Sequence, residues 1–202
     1  MNDTSWWTRA MEHVLELVLG LALLLVGLFQ VLFPVLGVTG PLPPTASREV
    51  RVDAAARLSG ATASGPVTLR GTDRAELVIH DPGLGQRVLL ALPELAGGLL
   101  VIVILMVLLR MAGTFRAGDF FVPENTRRLT VVAVALVLMG ILVPLLDMMT
   151  TNLLVRGEAM AEAVSPAKDY AVEPVFLAVL VAAAAGAFRN GTRLRADTEG
   201  LV

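Results

Sequence analysis

The chain of 202 residues contains no cysteine and only two histidines. The lack of cysteine excludes disulfides, thiolate nucleophiles and cysteine-ligated zinc. His13 and His80 are far apart in sequence, so a histidine-rich metal site is not expected. The formal net charge is only −2, which does not favour a nucleic-acid partner. We therefore predict no metal, no cofactor and no direct contact with nucleic acid.

Arrangements of residues that carry catalysis are also missing. The sequence has no nucleophile–base constellation, no glycine-rich phosphate loop and no metal-ligand spacing. An intramembrane protease or acyltransferase would need a polar cluster that the chain lacks. We therefore predict that the protein is not an enzyme.

Apolar residues, in contrast, are abundant. They make up 55% of the chain, and the mean hydropathy is +0.73. A composition this apolar indicates membrane spans. Four apolar runs indicate spans, of which the fourth is short and rich in small residues: residues 14–38, 95–111, 129–149 and 174–188. The sequence predicts an all-α transmembrane bundle of four helices in a lipid bilayer.

The first run has an alternative interpretation as a cleavable signal peptide. It is longer than the usual apolar core of such a peptide, and Arg9 is the only basic residue before it. An uncleaved span is therefore favoured, and residues 1–38 form an N-terminal head with the first transmembrane helix. A homo-oligomer stays open, because Ala182 and Gly186 give the fourth span a small-residue face for close helix contact.

Residues 39–94 differ in kind from the spans. Apolar and polar residues alternate around Val50 and Val52, which is typical of strands. Residues 75–80 and 86–91 flank the turn-like segment 81–85 and suggest a hairpin with a glycine-containing loop. We predict a small β-rich extracytoplasmic insertion between the first two spans.

Two short segments resemble each other, and each follows an apolar run. Residues 115–124 and 188–197 align without gaps. The alignment pairs Phe115 with Phe188, Arg116 with Arg189, Gly118 with Gly191, and Glu124 with Asp197. In each copy the glycine can end a helix, because it adopts the left-handed conformation at least cost. In the first copy Pro123 can then begin the next helix. The segments are either plain helix caps or a pair of matching corners that bind a partner.

Residues 95–202 hold three further spans, a corner (114–128) and a tail (189–202). Basic residues near the span ends set the orientation. With the N-terminus inside, eight basic residues lie on the inner side and five on the outer side. The prediction is that both termini and both corners are cytoplasmic and that the β-rich insertion is outside.

Polar residues inside or near the spans are functional candidates because they are costly there. The candidates are Glu16, Gln30, Arg110 and Asp147. Glu16 and Arg110 could pair, or could each lie alone at the lipid interface. Asp147 is placed near the outer interface, which weakens the case for a proton relay.

The corners resemble an uncharacterised bacterial family of four-span membrane proteins, the domain of unknown function 2975 family. The first corner is similar through Phe115, Gly118, Phe121, Glu124, Asn125, Arg128 and Leu129, and the tail through Phe188, Gly191, Leu194, Asp197, Glu199, Gly200, Leu201 and Val202. The resemblance covers residues 95–202. The resemblance implies a location in a bacterial cytoplasmic membrane. Members of the family are often encoded beside a small helix-turn-helix regulator, which implies, by association, a role in the control of gene expression.

The predicted function is that of a non-enzymatic membrane sensor or regulator that engages a cytoplasmic partner. The predicted partner-binding residues are Arg116, Gly118, Glu124, Asn125, Arg128, Arg189, Gly191, Asp197 and Glu199. The alternative is a membrane protein that binds or helps to transport a small molecule or lipid. A polar cavity at mid-membrane would favour that alternative.

Overall fold

The computed structural model describes residues 4–40, 42–43, 46–51, 74–118, 122–156 and 172–199. These residues form mainly helices, with one small sheet. In chain order the elements are α1 (Thr4–Val26), a π-helical segment (Gly27–Leu32), α2 (Phe33–Thr39), β1 (Ser47–Arg51), β2 (Arg74–Val78), α3 (Leu84–Arg116), α4 (Pro123–Val155) and α5 (Val172–Glu199).

Four of the helical stretches are long and apolar enough to cross a membrane: Val14–Thr39, Leu84–Arg116, Pro123–Val155 and Val172–Leu194. Each turns large apolar side chains outward, for example Leu17 at 68% exposure and Phe176 at 64%. Such a surface is typical of helices in contact with lipid, where every backbone polar group is satisfied within the helix. The predicted set of four helical spans is confirmed, and the chain belongs to the class of multi-pass membrane proteins.

The helices pack in a consecutive order, with α3 and α4 in the middle. The first span lies against α3, α3 against α4, and α4 against α5. Ala178 and Ala185 of α5 are buried in this packing. They face Leu129, Val132 and Leu136 of α4 in two apolar clusters. The core therefore lies along α4, and most of the remaining apolar surface faces outward.

The first span changes helical pitch before it ends. Its π-helical segment precedes Pro34, which has no backbone N–H for the carbonyl of Gln30 one turn earlier. At this point α3 approaches closely, because Gly98 has no side chain. A Cβ at Gly98 would lie 2.9 Å from the Gln30 Cβ and 3.0 Å from the Gln30 carbonyl oxygen. Gly98 is therefore what permits the close contact of the first two spans.

The β-rich insertion is represented by a two-stranded sheet. Strands β1 and β2 pair antiparallel, with Ser47 opposite Val78 and Arg51 opposite Arg74. Val50 is buried against Val155 at the end of α4, so the sheet packs on the helices. Residues 52–73 of the predicted insertion lie outside the described part of the chain.

The predicted hairpin around Asp81–Gly85 is wrong. Residues 86–91 belong to α3, which begins at Leu84, well before the predicted start of the second span. Gly83 precedes the first turn, and its N–H donates to the Gln86 side chain at 2.9 Å. Arg87 donates from Nε to the Pro82 carbonyl at 2.9 Å. These contacts start a helix in a segment of good helix formers, where the sequence pattern suggested a strand.

The predicted helix end at the second glycine is also wrong. Helix α5 runs without interruption through Phe188 and Gly191 to Glu199, so the second glycine lies inside a helix. The first copy breaks because Gly118 has a φ of 81° and Pro123 follows. No proline follows Gly191, and the cost of one helical glycine is only about 1 kcal/mol. The second copy is therefore a helical extension and not a corner.

Candidate functional site

The break between α3 and α4 forms the corner that the sequence predicts. Gly118 closes α3 in the left-handed conformation, and its N–H donates to the Phe115 carbonyl at 3.0 Å. Pro123 begins α4, and Glu124 lies in the first turn, where the helix dipole favours a negative charge. We call the end of the bundle that carries residues 114–128 and 188–194 the corner face.

Behind the corner, Asn125 forms the centre of a buried polar cluster. Its side chain is completely buried. Arg128 donates to Asn125 Oδ1 at 2.9 Å, and the Thr114 hydroxyl lies 3.1 Å from the same atom. Arg128 also reaches the Arg110 carbonyl at 3.3 Å. Asn125 and Arg128 thus join α3 to α4, and a partner bound to this face would meet other side chains first.

Arg116 ties the corner to the first span. Its guanidinium lies 2.6 Å from the Glu16 carboxylate. Glu16 thus pairs with Arg116 and not with Arg110, the pairing considered from the sequence. The two side chains are 44% and 26% exposed, so the pair contributes only about 0–1 kcal/mol. Its effect is to place Arg116 at the boundary between the first span and the corner.

The two similar segments lie side by side, although only one of them is a corner. The rings of Phe115 and Phe188 stack with centroids 6.3 Å apart. From Phe188 onward, α5 presents Arg189, Asn190 and Arg193 as exposed side chains. The side chains of the predicted partner-binding residues Asp197 and Glu199 lie outside the described set. The corner face therefore combines the break between α3 and α4 with a continuous helix that carries exposed arginines.

A lateral groove runs between α4 and α5 and ends at this face. Its volume is about 500 Å³. Small side chains form its floor, among them Ala178 and Ala185, while Arg189 and Thr126 lie at its polar end. The sequence predicts that Ala182 and Gly186 allow close helix contact, but in the structure these two residues line the groove. Ala182 is exposed, and the helix contact itself uses Ala178 and Ala185.

At the opposite end of the bundle, Arg48 of β1 forms a second polar centre. Its guanidinium donates to the hydroxyls of Thr150 at 2.8 Å and Thr151 at 3.2 Å. Asp147 lies 3.3 Å away and is half exposed. Burial lowers the pKa of Arg48, while nearby carboxylates act in the opposite direction. The side chain stays charged, as arginine does in proteins, and holds the sheet on α4.

The same guanidinium compensates a proline inside α3. Pro93 has no N–H, so the carbonyl of Leu89 loses its donor four residues further on. Arg48 Nη2 donates to that carbonyl at 2.8 Å and to the Leu90 carbonyl at 2.6 Å. A proline in a membrane helix is tolerated where a neighbouring group satisfies the freed carbonyl. We call Arg48 with its partners on α3 and α4 the arginine clamp.

The four polar candidates in the spans do not form one site. Glu16 and Arg110 lie toward the corner face, Asp147 belongs to the arginine clamp, and Gln30 meets Gly98 between them. Among the described residues, no group of three acidic or histidine side chains is placed to hold a metal. The polar candidates therefore lie at separate positions along the bundle.

Sequence reasoning missed the arginine clamp. In the sequence, Arg48 stands out only as one of the five basic residues on the outer side, and its partners lie up to 103 positions away. The available signal was Pro93 inside an otherwise helical apolar segment, which leaves a carbonyl in need of a donor.

Comparisons with protein-family models, with curated proteins and with solved structures find no match for this chain.

Proposed function

We propose that the protein is a non-enzymatic membrane regulator whose corner face binds a cytoplasmic partner protein. The observation that carries the proposal is the uninterrupted course of α5 beyond its apolar part. From Arg189 to Glu199 the helix adds roughly 16 Å at 1.5 Å per residue. An uninterrupted helical extension beside the corner is a pre-organised surface, and pre-organisation lowers the entropic cost of binding.

The chemistry of this surface suits a protein with mixed charge. Arg116, Glu124, Arg127 and Arg193 are exposed around the extension. Charges of both signs favour specific orientation and fast encounter more than raw affinity. Asn125 and Arg128 support the surface from inside the corner. In this proposal the exposed charges select the partner, and the buried cluster keeps the corner in shape.

A cytoplasmic location for this face is supported by its basic side chains. Arg110, Arg116 and Arg127 lie near the ends of α3 and α4 at this face, and such residues are enriched on the cytoplasmic side of membranes. The family resemblance suggests a small helix-turn-helix regulator as the partner. The membrane protein would then control transcription by holding or releasing that regulator, without touching DNA itself.

Site-specific crosslinking in cells tests the proposal. A photoreactive residue at Asn190, which is exposed on the extension, should capture one defined cytoplasmic protein. The control position is Val179, which is exposed on the apolar part of the same helix. The substitution Gly191→Pro breaks the extension, because proline costs about 3 kcal/mol inside a helix, and should abolish the adduct. An unchanged adduct in Gly191→Pro, or the same adduct from position 179, would contradict the proposal.

A further inference from the structure

The groove between α4 and α5 is long relative to one leaflet of a membrane. It extends along α4 from Thr126 to Leu138 and along α5 from Val175 to Arg189. The twelve-residue separation on α4 corresponds to roughly 18 Å. One leaflet supplies half of a hydrocarbon core of about 30 Å. Both helices are candidate spans over this stretch. The length of the groove along the helices therefore matches the thickness of one leaflet, which one lipid acyl chain spans.

The walls of the groove are apolar, and small side chains form its floor. Ala133 and Ala178 are buried at the floor, and Ala182 is exposed in the wall. Val134 and Val179 are exposed on the two flanks. Small residues that face outward leave a depression which no described side chain fills. An acyl chain is the flexible apolar body that such a depression accommodates within a bilayer.

The end of the groove at the corner face is polar. Arg189 lines it, and its guanidinium makes no ion pair with the described acidic residues. The hydroxyl oxygen of Thr126 is buried there without a hydrogen-bond partner. An unsatisfied buried hydroxyl costs free energy unless something binds it. The Thr126 hydroxyl oxygen is closed off from the groove surface, so Arg189 is the group that meets a ligand, and its guanidinium matches the phosphate of a lipid headgroup as the charged donor.

A second copy of the chain fits this groove less well. Copies inserted in the same direction and related by a twofold axis along the membrane normal bring equivalent residues together at equal depth. Two copies of Arg189 would then approach each other at the mouth of the groove. Like charges at an interface disfavour association, whereas an anionic lipid neutralises the same arginine.

We propose that the α4–α5 groove binds an anionic phospholipid, with one acyl chain along the small residues and the phosphate on Arg189. The site needs no partner protein, although its polar end, with Arg189, belongs to the corner face. A bound lipid would brace the start of the α5 extension. A second groove differs from this one in the charge of its lining. It is lined by Glu173, Phe176 and Leu180 and carries a negative side chain, so it should not select an anionic lipid.

Lipid titration of the full chain tests the site. The purified protein in detergent is mixed with phosphatidylglycerol or with phosphatidylcholine of the same acyl chains, and native mass spectrometry counts bound lipid. One arginine near an anionic headgroup corresponds to about a fivefold preference. Wild type should prefer phosphatidylglycerol by about that factor, and Arg189→Gln should remove the preference. The control Arg193→Gln, on the same helix but outside the groove, should keep it within twofold.

A second pair of variants tests the apolar part. Ala182→Leu fills the groove and should reduce binding of both lipids severalfold. Ala183→Leu, at an exposed neighbour that does not line the groove, should leave binding unchanged. Circular dichroism confirms that each variant is folded. Equal binding of the two lipids by wild type, equal losses in Arg189→Gln and Arg193→Gln, or a lipid-free dimer that Ala182→Leu dissociates would each overturn the proposal.

Discussion

The arginine clamp predicts a specific coupling between Arg48 and Pro93. Replacing Arg48 by methionine keeps most of the apolar stem and removes every donor. The carbonyl of Leu89 is then left without a partner, because Pro93 supplies no N–H. An unsatisfied buried carbonyl costs about 1–3 kcal/mol. We expect Arg48→Met to lower the free energy of unfolding by about 2–4 kcal/mol, since further bonds to Leu90 and Thr150 are lost with it.

The half-exposed Asp147 adds little to this figure. Its carboxylate is 51% exposed at 3.3 Å from the guanidinium, and solvent screens pairs of that kind. Thr150 is not left unsatisfied either, because its hydroxyl lies 2.8 Å from the Leu146 carbonyl and donates to it. The main group left without a partner is therefore the Leu89 carbonyl. A double-mutant cycle of Arg48→Met with Pro93→Ala isolates its contribution.

Pro93→Ala restores a backbone donor for the Leu89 carbonyl. In that background Arg48→Met should cost about 1–2 kcal/mol less than in wild type, which is the free energy of one unsatisfied carbonyl. The assay is reversible unfolding of the full chain in mixed micelles, followed by circular dichroism. Arg87→Met is the matched control, because Arg87 donates to the Pro82 carbonyl, which does not involve Pro93. Its cost should be the same in both backgrounds.

Additivity of Arg48→Met and Pro93→Ala within about 0.5 kcal/mol would refute the reasoning. It would mean that the Leu89 carbonyl contributes nothing through Arg48. Coupling of equal size in the Arg87 control would refute it as well, because Pro93→Ala would then act on α3 as a whole.

Two further pairs of glycine substitutions test the packing and the corner in the same unfolding assay. Gly98→Ala should destabilise by about 1–3 kcal/mol, because its Cβ would lie 3.0 Å from the Gln30 backbone. Gly97→Ala meets only flexible methyl groups at ordinary contact distance and, as a helical glycine, should stabilise by up to about 1 kcal/mol. Equal effects would contradict the close contact. Gly118→Ala should cost about 1–2 kcal/mol because of the positive φ alone, since an added Cβ would meet no other atom. Gly113 lies inside α3 with free space around it, so Gly113→Ala should stabilise the protein by up to about 1 kcal/mol. A neutral Gly118→Ala would argue against the left-handed corner.

The fold was predictable from the sequence where local signals agree with burial in lipid. The four apolar runs predict the four spans, and the Gly118–Pro123 pair predicts the corner, because both depend on chemistry within a few residues. The hairpin prediction failed because a glycine-containing turn is compatible with a strand or a helix on its far side. The helix formers after Gly83 and the Gln86 contact decided in favour of the helix.

The second copy of the repeated segment shows that similar sequences can differ in local structure. Phe188, Arg189 and Gly191 match the first copy, yet a glycine alone does not end a helix. Pro123, which begins the next helix in the first copy, is replaced by Ala196 in the second. Helix α5 therefore continues, and the surface proposed to bind a partner is a helix where a turn was expected.

The arginine clamp and the groove depend on tertiary structure. Arg48 meets residues of α3 and α4 that are 41 to 103 positions away, and no local pattern specifies such contacts. The groove arises because α5 buries Ala178 and Ala185 and leaves Ala182 at the surface. The small-residue pattern predicts that a close approach can occur, but the rotation of the helix decides which small residues are used.

The central claim is that the corner face, with the α5 extension, lies in the cytoplasm. The native chain has no cysteine, so single cysteines report their own location. Asn190→Cys is exposed on the extension, and Glu76→Cys is exposed on β2 at the opposite end of the bundle. In intact cells a membrane-impermeant maleimide should label Glu76→Cys at once and Asn190→Cys only after the membrane is opened. Labelling of Asn190→Cys in intact cells would contradict the account.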